Sequence, residues 1–181
     1  NDKKKIISIL KELGYYFSEV DVFIKELDNN KVNIQYNIDL GKKAKIKKIS
    51  FIGEKIFKDR KLRGIILSEE YKFWKFISGK KYLNEGMIDF DIRLLSNFYL
   101  NKGYYQAKIY SSFAKLINEN EFELIYNIDA GPKFNFGDLS LNLPVDYDKS
   151  NFNQLEKLLK KLKNEPYSIN SIEKILEEID L

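Results

Sequence analysis

Residues 103–131 of the chain read GYYQAKIYSSFAKLINENEFELIYNIDAG. This stretch predicts a helix end at Gly103, a strand, a turn and a second strand that finishes at Asp129. Both of its ends have earlier counterparts, because a Gly-Tyr-Tyr triplet begins at Gly14 and a Tyr-Asn-Ile-Asp quartet begins at Tyr36. The triplets lie 89 positions apart and the quartets lie 90 apart. The sequence therefore indicates an array of repeats.

The final strand of each copy alternates apolar and polar residues with a period of two. The apolar positions are Val32, Ile34, Tyr36 and Ile38 in the earlier copy, and Phe122, Leu124, Tyr126 and Ile128 in the later copy. This alternation predicts a strand with one buried face and one solvated face. Residues 28–31 predict the turn of the earlier hairpin, because Asp and Asn tolerate positive φ. Each copy is therefore predicted to be a β-hairpin that follows a helix.

The residues between the hairpins predict the rest of the unit. A first strand over residues 45–52 has Ile49 and Phe51 on one side, and Gly53 is predicted to end it. Two helices follow, with Asp59 and Asn84 as their predicted N-caps. The predicted fold is α+β: tandem β-α-α-β-β units of about 90 residues, each with a three-stranded mixed sheet packed on two helices.

Three parts of the chain follow from this repeat. Residues 1–43 are predicted to be the second half of one unit, residues 44–131 a complete unit, and residues 132–181 the first half of another. The last part is expected to begin with a strand over residues 136–143 and to continue with two helices. Because the half units lack partners for their apolar faces, we expect them to be less stable than the complete unit.

Composition narrows the possible chemistry. The chain contains no Cys and no His, which removes thiolate metal sites and the commonest general base. Asp89 and Asp91 point to different faces of their predicted helix, and Asp91 is expected to cap backbone groups or to pair at the surface. No catalytic, cofactor-binding or metal-binding residue is predicted. The chain does not begin with Met, and we expect it to be part of a longer protein.

Several motifs resemble POTRA domains, the periplasmic modules of the BamA-type outer-membrane assembly proteins. The run from Ile49 to Gly53, followed by Phe57, is similar to the first-strand motif of that family. The second-helix motif is matched by Tyr82, Asp91, Leu95, Tyr99, Gly103 and Tyr104. The aromatic residues around Trp74 resemble the third POTRA domain, so the three parts would be the end of the second, the whole third and the start of the fourth.

Two positions depart from the family pattern. Glu54 stands where the family usually has Asn, which affects the turn after Gly53. Leu143 and Pro144 stand where the complete unit has Gly53 and Glu54, so the corresponding loop must differ.

The resemblance implies a function in binding rather than in catalysis. It implies location in the periplasm, with attachment to the outer membrane through a C-terminal β-barrel that this chain does not contain. The implied partners are unfolded outer-membrane proteins and accessory lipoproteins of the assembly complex, and neither a cofactor nor nucleic acid is implied. By this resemblance the chain is no enzyme.

The family also suggests where binding occurs. In a POTRA sheet the third strand lies in the middle, which leaves the second strand exposed for pairing with another chain. Here the exposed strand comprises Ala107, Lys108, Ile109, Tyr110, Ser111, Ser112 and Phe113. The alternative is an edge that is blunted by Lys108 and Lys115 or covered by a neighbouring domain.

The aromatic loop is the second candidate contact. Phe73, Trp74 and Phe76 are implied by the resemblance to contact an accessory subunit, and aromatic residues are enriched at interface hot spots. The alternative is packing of these rings inside the unit or against its neighbour.

Two other functions stay open at this point. The chain could be the POTRA segment of a related two-partner secretion or translocation pore. From a different class, a basic and aromatic nucleic-acid-binding module would show steeply salt-dependent binding. The net charge of only +4, with 27 acidic residues interleaved among 31 basic ones, argues against that module.

Overall fold

A computed structural model describes residues 2–74, 79–146 and 148–179. The elements follow the order α1 (Asp2–Glu12), β1 (Glu19–Leu27), β2 (Lys31–Asp39), β3 (Lys45–Glu54), α2 (Asp59–Arg63), α3 (Glu85–Leu100), β4 (Lys108–Asn118), β5 (Glu121–Asp129), α4 (Asn153–Leu162) and α5 (Ile169–Ile179). Two short 3₁₀ helices, Gly79–Lys81 and Lys149–Phe152, precede α3 and α4.

A three-stranded sheet with helices on one face forms the middle of the chain. Its strand order is β3-β5-β4, with β5 parallel to β3 and antiparallel to β4. The core between sheet and helices contains Ile46, Ile49, Phe51, Leu62, Ile88, Leu95, Tyr99, Phe122, Leu124, Tyr126 and Ile128. The inward positions of β5 are those that the period-two alternation indicates. The predicted α+β class and mixed sheet are confirmed.

The two predicted helix caps have different outcomes. Asn84 caps α3 as predicted, because its Oδ1 accepts a hydrogen bond from the backbone N–H of Met87 at 2.7 Å. The prediction that Asp59 caps α2 is wrong. Lys58 occupies the N-cap position, and Asp59 is the first helical residue, paired with the ammonium of Lys55 at 2.5 Å. A carboxylate in the first turn interacts favourably with the positive end of the helix dipole, and it does so without capping a backbone group.

Gly53 does not end its strand, contrary to the sequence-based prediction. Strand β3 continues to Glu54, and Gly53 pairs with Ile128 of β5. The φ angle of Gly53 is +84°, and a Cβ at this position would collide with the carbonyl oxygen of Ile128. Glycine is needed here because the two backbones approach closely while the pairing continues.

The β1–β2 hairpin is a separate two-stranded sheet. Its strands pair in register from Glu19 opposite Asp39 to Leu27 opposite Lys31. The turn contains Asn29 and Asn30 at φ 64° and 55°, as expected for a tight hairpin turn. Much of one apolar face is open to solvent, where Ile24, Val32, Ile34 and Ile38 are exposed.

The last part of the described chain contains helices but no regular strand. The strand predicted over residues 136–143 is absent, and one isolated bridge joins Asn135 to Pro166. In the complete unit the first strand, β3, bonds to the last strand, β5. Residues 132–146 and 148–179 include no second strand of that kind, so an extended segment has no ladder to join.

Candidate protein-binding edge of the sheet

Strand β4 forms one edge of the three-stranded sheet. It pairs with β5 in an unbroken register from Lys108 opposite Asp129 to Phe113 opposite Leu124. Register shifts follow between Phe113 and Lys115 and again between Leu116 and Asn118. Because such bulges bend a strand and interrupt its ladder, the regular part of this edge is Lys108–Phe113.

The side chains of this edge segment alternate between the core and the solvent. Ile109 is 9% exposed and packs in the core, whereas Tyr110 is 57% exposed and Lys108 is also exposed. Ser111 is half-buried, and Ala107 lies before the strand and packs against the core. The backbone of Ser112 and Phe113 continues the strand, but their side chains lie outside the described part of the structure.

The direction of the peptide groups along β4 follows from hydrogen bonds on the far side of the sheet. The peptide groups of Ile49 bond outside the sheet, so those of the next residue, Ser50, point toward β5. Ser50 lies opposite Ile125, and the peptide groups of Ile125 consequently face β4. Ile125 pairs with Ser112, which makes Ser112 an inward-bonded position and Ser111 an outward-facing one.

The same alternation turns the N–H and C=O of Ile109 outward. No hydrogen bond from another described element reaches the outer edge of residues 108–111. Unpaired peptide groups in an extended conformation are the surface to which a strand from another chain can add. Residues 108–111 therefore present an open strand edge.

The opposite edge, on β3, is closed by side chains and a loop. Glu70 Oε1 accepts the N–H of Ile49 at 3.0 Å, and Arg63 Nη2 donates to the C=O of Ile49 at 2.6 Å. Farther along, Lys55 Nζ donates to the C=O of Phe51 at 2.9 Å. Sequence patterns do not predict this arrangement, because Arg63 and Glu70 belong to no recognisable motif and meet only through tertiary folding.

Asp91 lies in the interior rather than at the surface, so the interpretation as a surface pair is wrong. Its side chain is fully buried, and its Oδ1 accepts the N–H of Leu67 at 2.6 Å. Its Oδ2 accepts the N–H of Ser68 at 3.2 Å and the phenol O–H of Tyr126 at 2.7 Å. The capping role is thus the observed one. Ile88 and Leu95, spaced three and four residues away on the buried stripe, were the sequence signal for an inward position.

The aromatic loop carries two exposed rings. Phe73 is 72% exposed and Trp74 is 58% exposed, and their rings meet edge to face with centroids 4.7 Å apart. The ammonium of Lys72 lies 5.7 Å from the centroid of the Trp74 ring. Phe76 lies outside the described residues. Phe73 and Trp74 therefore do not pack in the core of the unit, and the alternative that places them there fails for these two rings.

The described ranges contain neither a candidate metal cluster nor a membrane-spanning helix. No group of three or more His, Cys, Asp or Glu side chains in the described ranges could hold a metal ion. Among the helices of these ranges, none combines the length and the apolar character that crossing a bilayer requires.

Comparison with known proteins identifies the unit and its relatives. The POTRA family, described as a surface antigen variable number repeat, matches residues 44–131. Outer membrane protein assembly factor BamA of Neisseria meningitidis serogroup B is 28% identical over 86% of this chain and 19% of its own length. BamA of Neorickettsia risticii is 27% identical over 65% of this chain and 16% of its own length. The chain thus spans less than a fifth of the length of these relatives.

Solved structures share the fold. The Haemophilus influenzae BamA POTRA3-5 structure matches 99% of this chain and 67% of its own chain, with a TM-score of 0.57 and 14% identity. BamA from Haemophilus ducreyi lacking POTRA domains 1-3 matches 74% of this chain and 22% of its own, with a TM-score of 0.50 and 22% identity. Since one of these contains a third POTRA domain and the other does not, the position of residues 44–131 in a series stays a prediction. Residues 44–131 match the POTRA family, and the chain around them is similar in sequence to outer membrane protein assembly factors named BamA.

Proposed function

We propose that this chain is a periplasmic segment of an outer-membrane protein assembly factor, and that it binds unfolded outer-membrane proteins as added strands. The relatives named BamA support the general role. The binding of client proteins rests on the edge formed by Lys108–Phe113. The proposed activity is binding, with no catalytic step.

The contrast between the two sheet edges is the observation that carries this proposal. The outward peptide groups of Ile49 on β3 are both occupied by side chains. The outward peptide groups of Ile109 and Ser111 on β4 have no such contact from the described residues. Because strand addition uses main-chain hydrogen bonds, it tolerates many client sequences, and one open edge suits a receptor of varied unfolded chains.

The proposed contact is short. The regular register of β4 covers six residues, Lys108–Phe113, before the first bulge. An added strand would therefore make its main-chain bonds at Ile109, Ser111 and the next outward position. Short contacts of this kind give weak and reversible binding, because ordering an unfolded segment opposes the gain from each new hydrogen bond.

The division of the chain into tandem POTRA units is part of the proposal. Gly14 and Gly103 follow the C-terminal ends of α1 and α3, and each accepts a hydrogen bond from the start of the next part. The donor is the N–H of Ala44 in the first case and the N–H of Phe134 in the second, both at 2.8 Å. This equivalence supports units at 1–43, 44–131 and 132–181.

A second contact is proposed for the aromatic loop, with an accessory lipoprotein of the assembly complex as partner. Exposed aromatic rings with a neighbouring cation are typical of interface anchors. Replacing Trp74 with Ala should abolish binding of the lipoprotein, measured by surface plasmon resonance, without changing the melting temperature. Phe90→Ala, at a partly exposed aromatic ring on α3, is the matched control. Loss of thermal stability with unchanged binding would contradict this role.

The test of strand addition uses proline on the open edge. Ser111→Pro removes one outward N–H, and proline is tolerated in edge strands where the N–H faces solvent. Ile109→Pro is less suitable because the Ile109 side chain is in the core. Binding of a peptide from a transmembrane strand of an outer-membrane protein is followed by NMR titration of the full chain.

The expected result is at least a roughly tenfold weaker affinity for Ser111→Pro, because one main-chain bond is lost and the edge is kinked. Ser111→Ala keeps the N–H and should bind like the wild-type chain. Equal peptide binding by the proline variant, with its circular dichroism spectrum unchanged, would refute addition at β4.

A further inference from the structure

We infer that Arg63 and Glu70 act as an edge guard, a pair of side chains that takes the place of a neighbouring strand on β3 and confines strand addition to β4. The inference deepens the proposed function and rests on it for the identity of the client. The closure of the β3 edge itself rests on hydrogen bonds within this chain.

The edge guard supplies both partners that a strand would supply. Glu70 Oε1 accepts from the N–H of Ile49 at 3.0 Å, as a neighbouring C=O would. Arg63 Nη2 donates to the C=O of Ile49 at 2.6 Å, as a neighbouring N–H would. Arg63 Nη1 also donates to Glu70 Oε1, so each side chain holds the other in place. The guanidinium fork makes this double role possible, since its N–H groups diverge in one plane.

Neighbouring contacts occupy two further carbonyl groups on the same edge. The N–H of Tyr71 donates to the C=O of Ile46 at 2.6 Å, one position past Glu70 in the sequence. Lys55 Nζ donates to the C=O of Phe51 at 2.9 Å on the other side of Ile49. The guard therefore lies between these two occupied carbonyl groups, and its opening would expose a donor and an acceptor together.

The guard is accessible enough to be displaced. The side chains of Arg63 and Glu70 are 39% and 25% exposed, and they line a cavity of about 280 Å³ together with Ile49, Ser68, Glu69 and Lys72. A partly solvated ion pair contributes little to folding stability. Its consequence here is the occupation of two peptide groups that an incoming strand would otherwise use.

A domain with both edges open would pair with strands on two sides. Such a sheet can bridge two clients or two copies of itself, and edge-to-edge pairing of this kind leads to aggregation. Closing β3 and leaving β4 open makes the unit a receptor with one strand-binding edge. This restriction matters for a protein that handles unfolded, strand-forming clients.

The experiment opens the guard in the full chain. Arg63→Ala with Glu70→Ala removes both partners of Ile49, and hydrogen exchange of the Ile49 amide is measured by NMR. We expect exchange to accelerate at least roughly tenfold, because the N–H loses its acceptor. Lys42→Ala with Glu119→Ala removes an exposed ion pair of 3.1 Å that touches no strand edge, and should leave Ile49 exchange unchanged.

A conservative variant separates the hydrogen bond from the charge. Glu70→Gln keeps an oxygen that can accept from Ile49 while removing the ion pair. Ile49 should stay protected in this variant, and its protection also shows that the site still folds with position 70 altered. Fast exchange of Ile49 in Glu70→Gln would overturn the assignment of Glu70 as a strand-like acceptor.

Association completes the test. The double alanine variant should form dimers or larger species in sedimentation velocity, and should bind the strand peptide even when Ser111→Pro blocks β4. A monomeric double variant that binds no peptide in the Ser111→Pro background would overturn the guard. Unchanged peptide binding by Ser111→Pro with the guard intact would refute the proposed site on β4, while Ile49 exchange and self-association would still decide the guard.

Discussion

The carboxylate of Asp91 accepts a hydrogen bond from the phenol of Tyr126 inside the core, at an Oδ2–Oη distance of 2.7 Å. The same carboxylate accepts the backbone N–H groups of Leu67 and Ser68. Asp91 thus connects helix α3, the loop after α2 and the central strand β5. Burial of a carboxylate is costly unless its oxygens are hydrogen-bonded, and here three donors satisfy it.

Replacing Asp91 with Asn should destabilise the middle unit by roughly 3 kcal/mol, since an amide cannot accept from all three buried donors. Tyr126→Phe should cost about 1 to 2 kcal/mol, because Asp91 Oδ2 loses the hydrogen bond from the phenol and keeps the longer one from the N–H of Ser68. Urea unfolding followed by circular dichroism measures both. Asp89→Asn, on the exposed side of the same helix, is the control and should change stability by less than about 0.5 kcal/mol.

The two substitutions should not be additive, because both act on one hydrogen-bonded group. Combined, Asp91→Asn and Tyr126→Phe should cost clearly less than the sum of the single variants. Strict additivity would mean that the two side chains act independently, and would contradict the contact described here.

Alkaline pH should weaken the fold through three tyrosines. Burial, and next the hydrogen bond to Glu85, raises the pKa of Tyr16 to about 12. Burial, with Tyr104 beside it, raises the pKa of Tyr99 to about 12. Burial and the negative charge of Asp91 raise the pKa of Tyr126 still further.

The sign of the effect follows from linkage. A tyrosine whose pKa is raised in the folded state binds its proton more tightly there than in the unfolded chain. Its contribution to stability is complete below the unfolded pKa of about 10 and is lost as the pH rises above that value. For Tyr126 the loss is about 1.4 kcal/mol for each pH unit above 10. Urea midpoints between pH 9 and pH 11.5 measure it.

Tyr126→Phe is the matched variant for this prediction. It lacks the titrating group, so its urea midpoint should fall less steeply above pH 10 than that of the wild-type chain. Parallel pH curves for the two proteins would contradict a raised pKa at Tyr126. Tyr110→Phe, at an exposed site on β4, should leave the slope unchanged.

Local patterns predict this fold well where the partner element is close in the sequence. The alternation from Phe122 to Ile128 and the Asn cap of α3 depend on neighbouring residues, and both agree with the structure. The strand predicted over residues 136–143 fails because a strand needs a partner, which the described chain lacks at that position. The prediction that Gly53 ends its strand fails because it considered only neighbouring residues. The positive φ of Gly53 is required by the close approach of Ile128, which belongs to a strand distant in the sequence.

In the candidate site, too, some features are predictable from the sequence and others depend on distant residues. The open edge at β4 was predicted from the order of strands that the family resemblance implies, and the geometry adds which peptide groups face outward. The guard on β3 was not predictable, because Arg63 and Glu70 meet Ile49 only after the loop folds back along the sheet. The sequence predicts a structural role for Asp91. The burial of its carboxylate, however, depends on Tyr126, which lies 35 residues away in the sequence.

The contact between the middle unit and the part that follows should depend on Gly103. Its φ is +92°, and a Cβ would lie 2.7 Å from the carbonyl oxygen of Phe134. Gly103→Ala should therefore break the hydrogen bond from Phe134 and destabilise the chain by roughly 2 kcal/mol. Gly137→Ala is the control, because no atom beyond its immediate chain neighbours lies within 4 Å of the added methyl group.

Amide chemical shifts locate the effect of Gly103→Ala. Asn101 accepts from the hydroxyl of Ser168 at 2.8 Å and from the N–H of Asn170 at 3.0 Å across the same contact. The amides of Ser168 and Asn170 should shift in the variant, while those of β5 should not. Shifts confined to α3 would show that the glycine serves only its own helix end.

The middle unit should survive proteolysis after both flanking parts are lost. Limited trypsin digestion is expected to leave a core near residues 44–131, because the flanking parts have exposed apolar faces and fewer packed neighbours. Phe17 stacks on Phe122 with ring centroids 5.6 Å apart, so loss of the first part uncovers one side of the core. The isolated core should be less stable than the full chain by about 1 to 2 kcal/mol from this contact. Phe17→Ala in the full chain should reproduce that loss of stability. Degradation of the 44–131 core as fast as its flanking parts would contradict an independently folding unit.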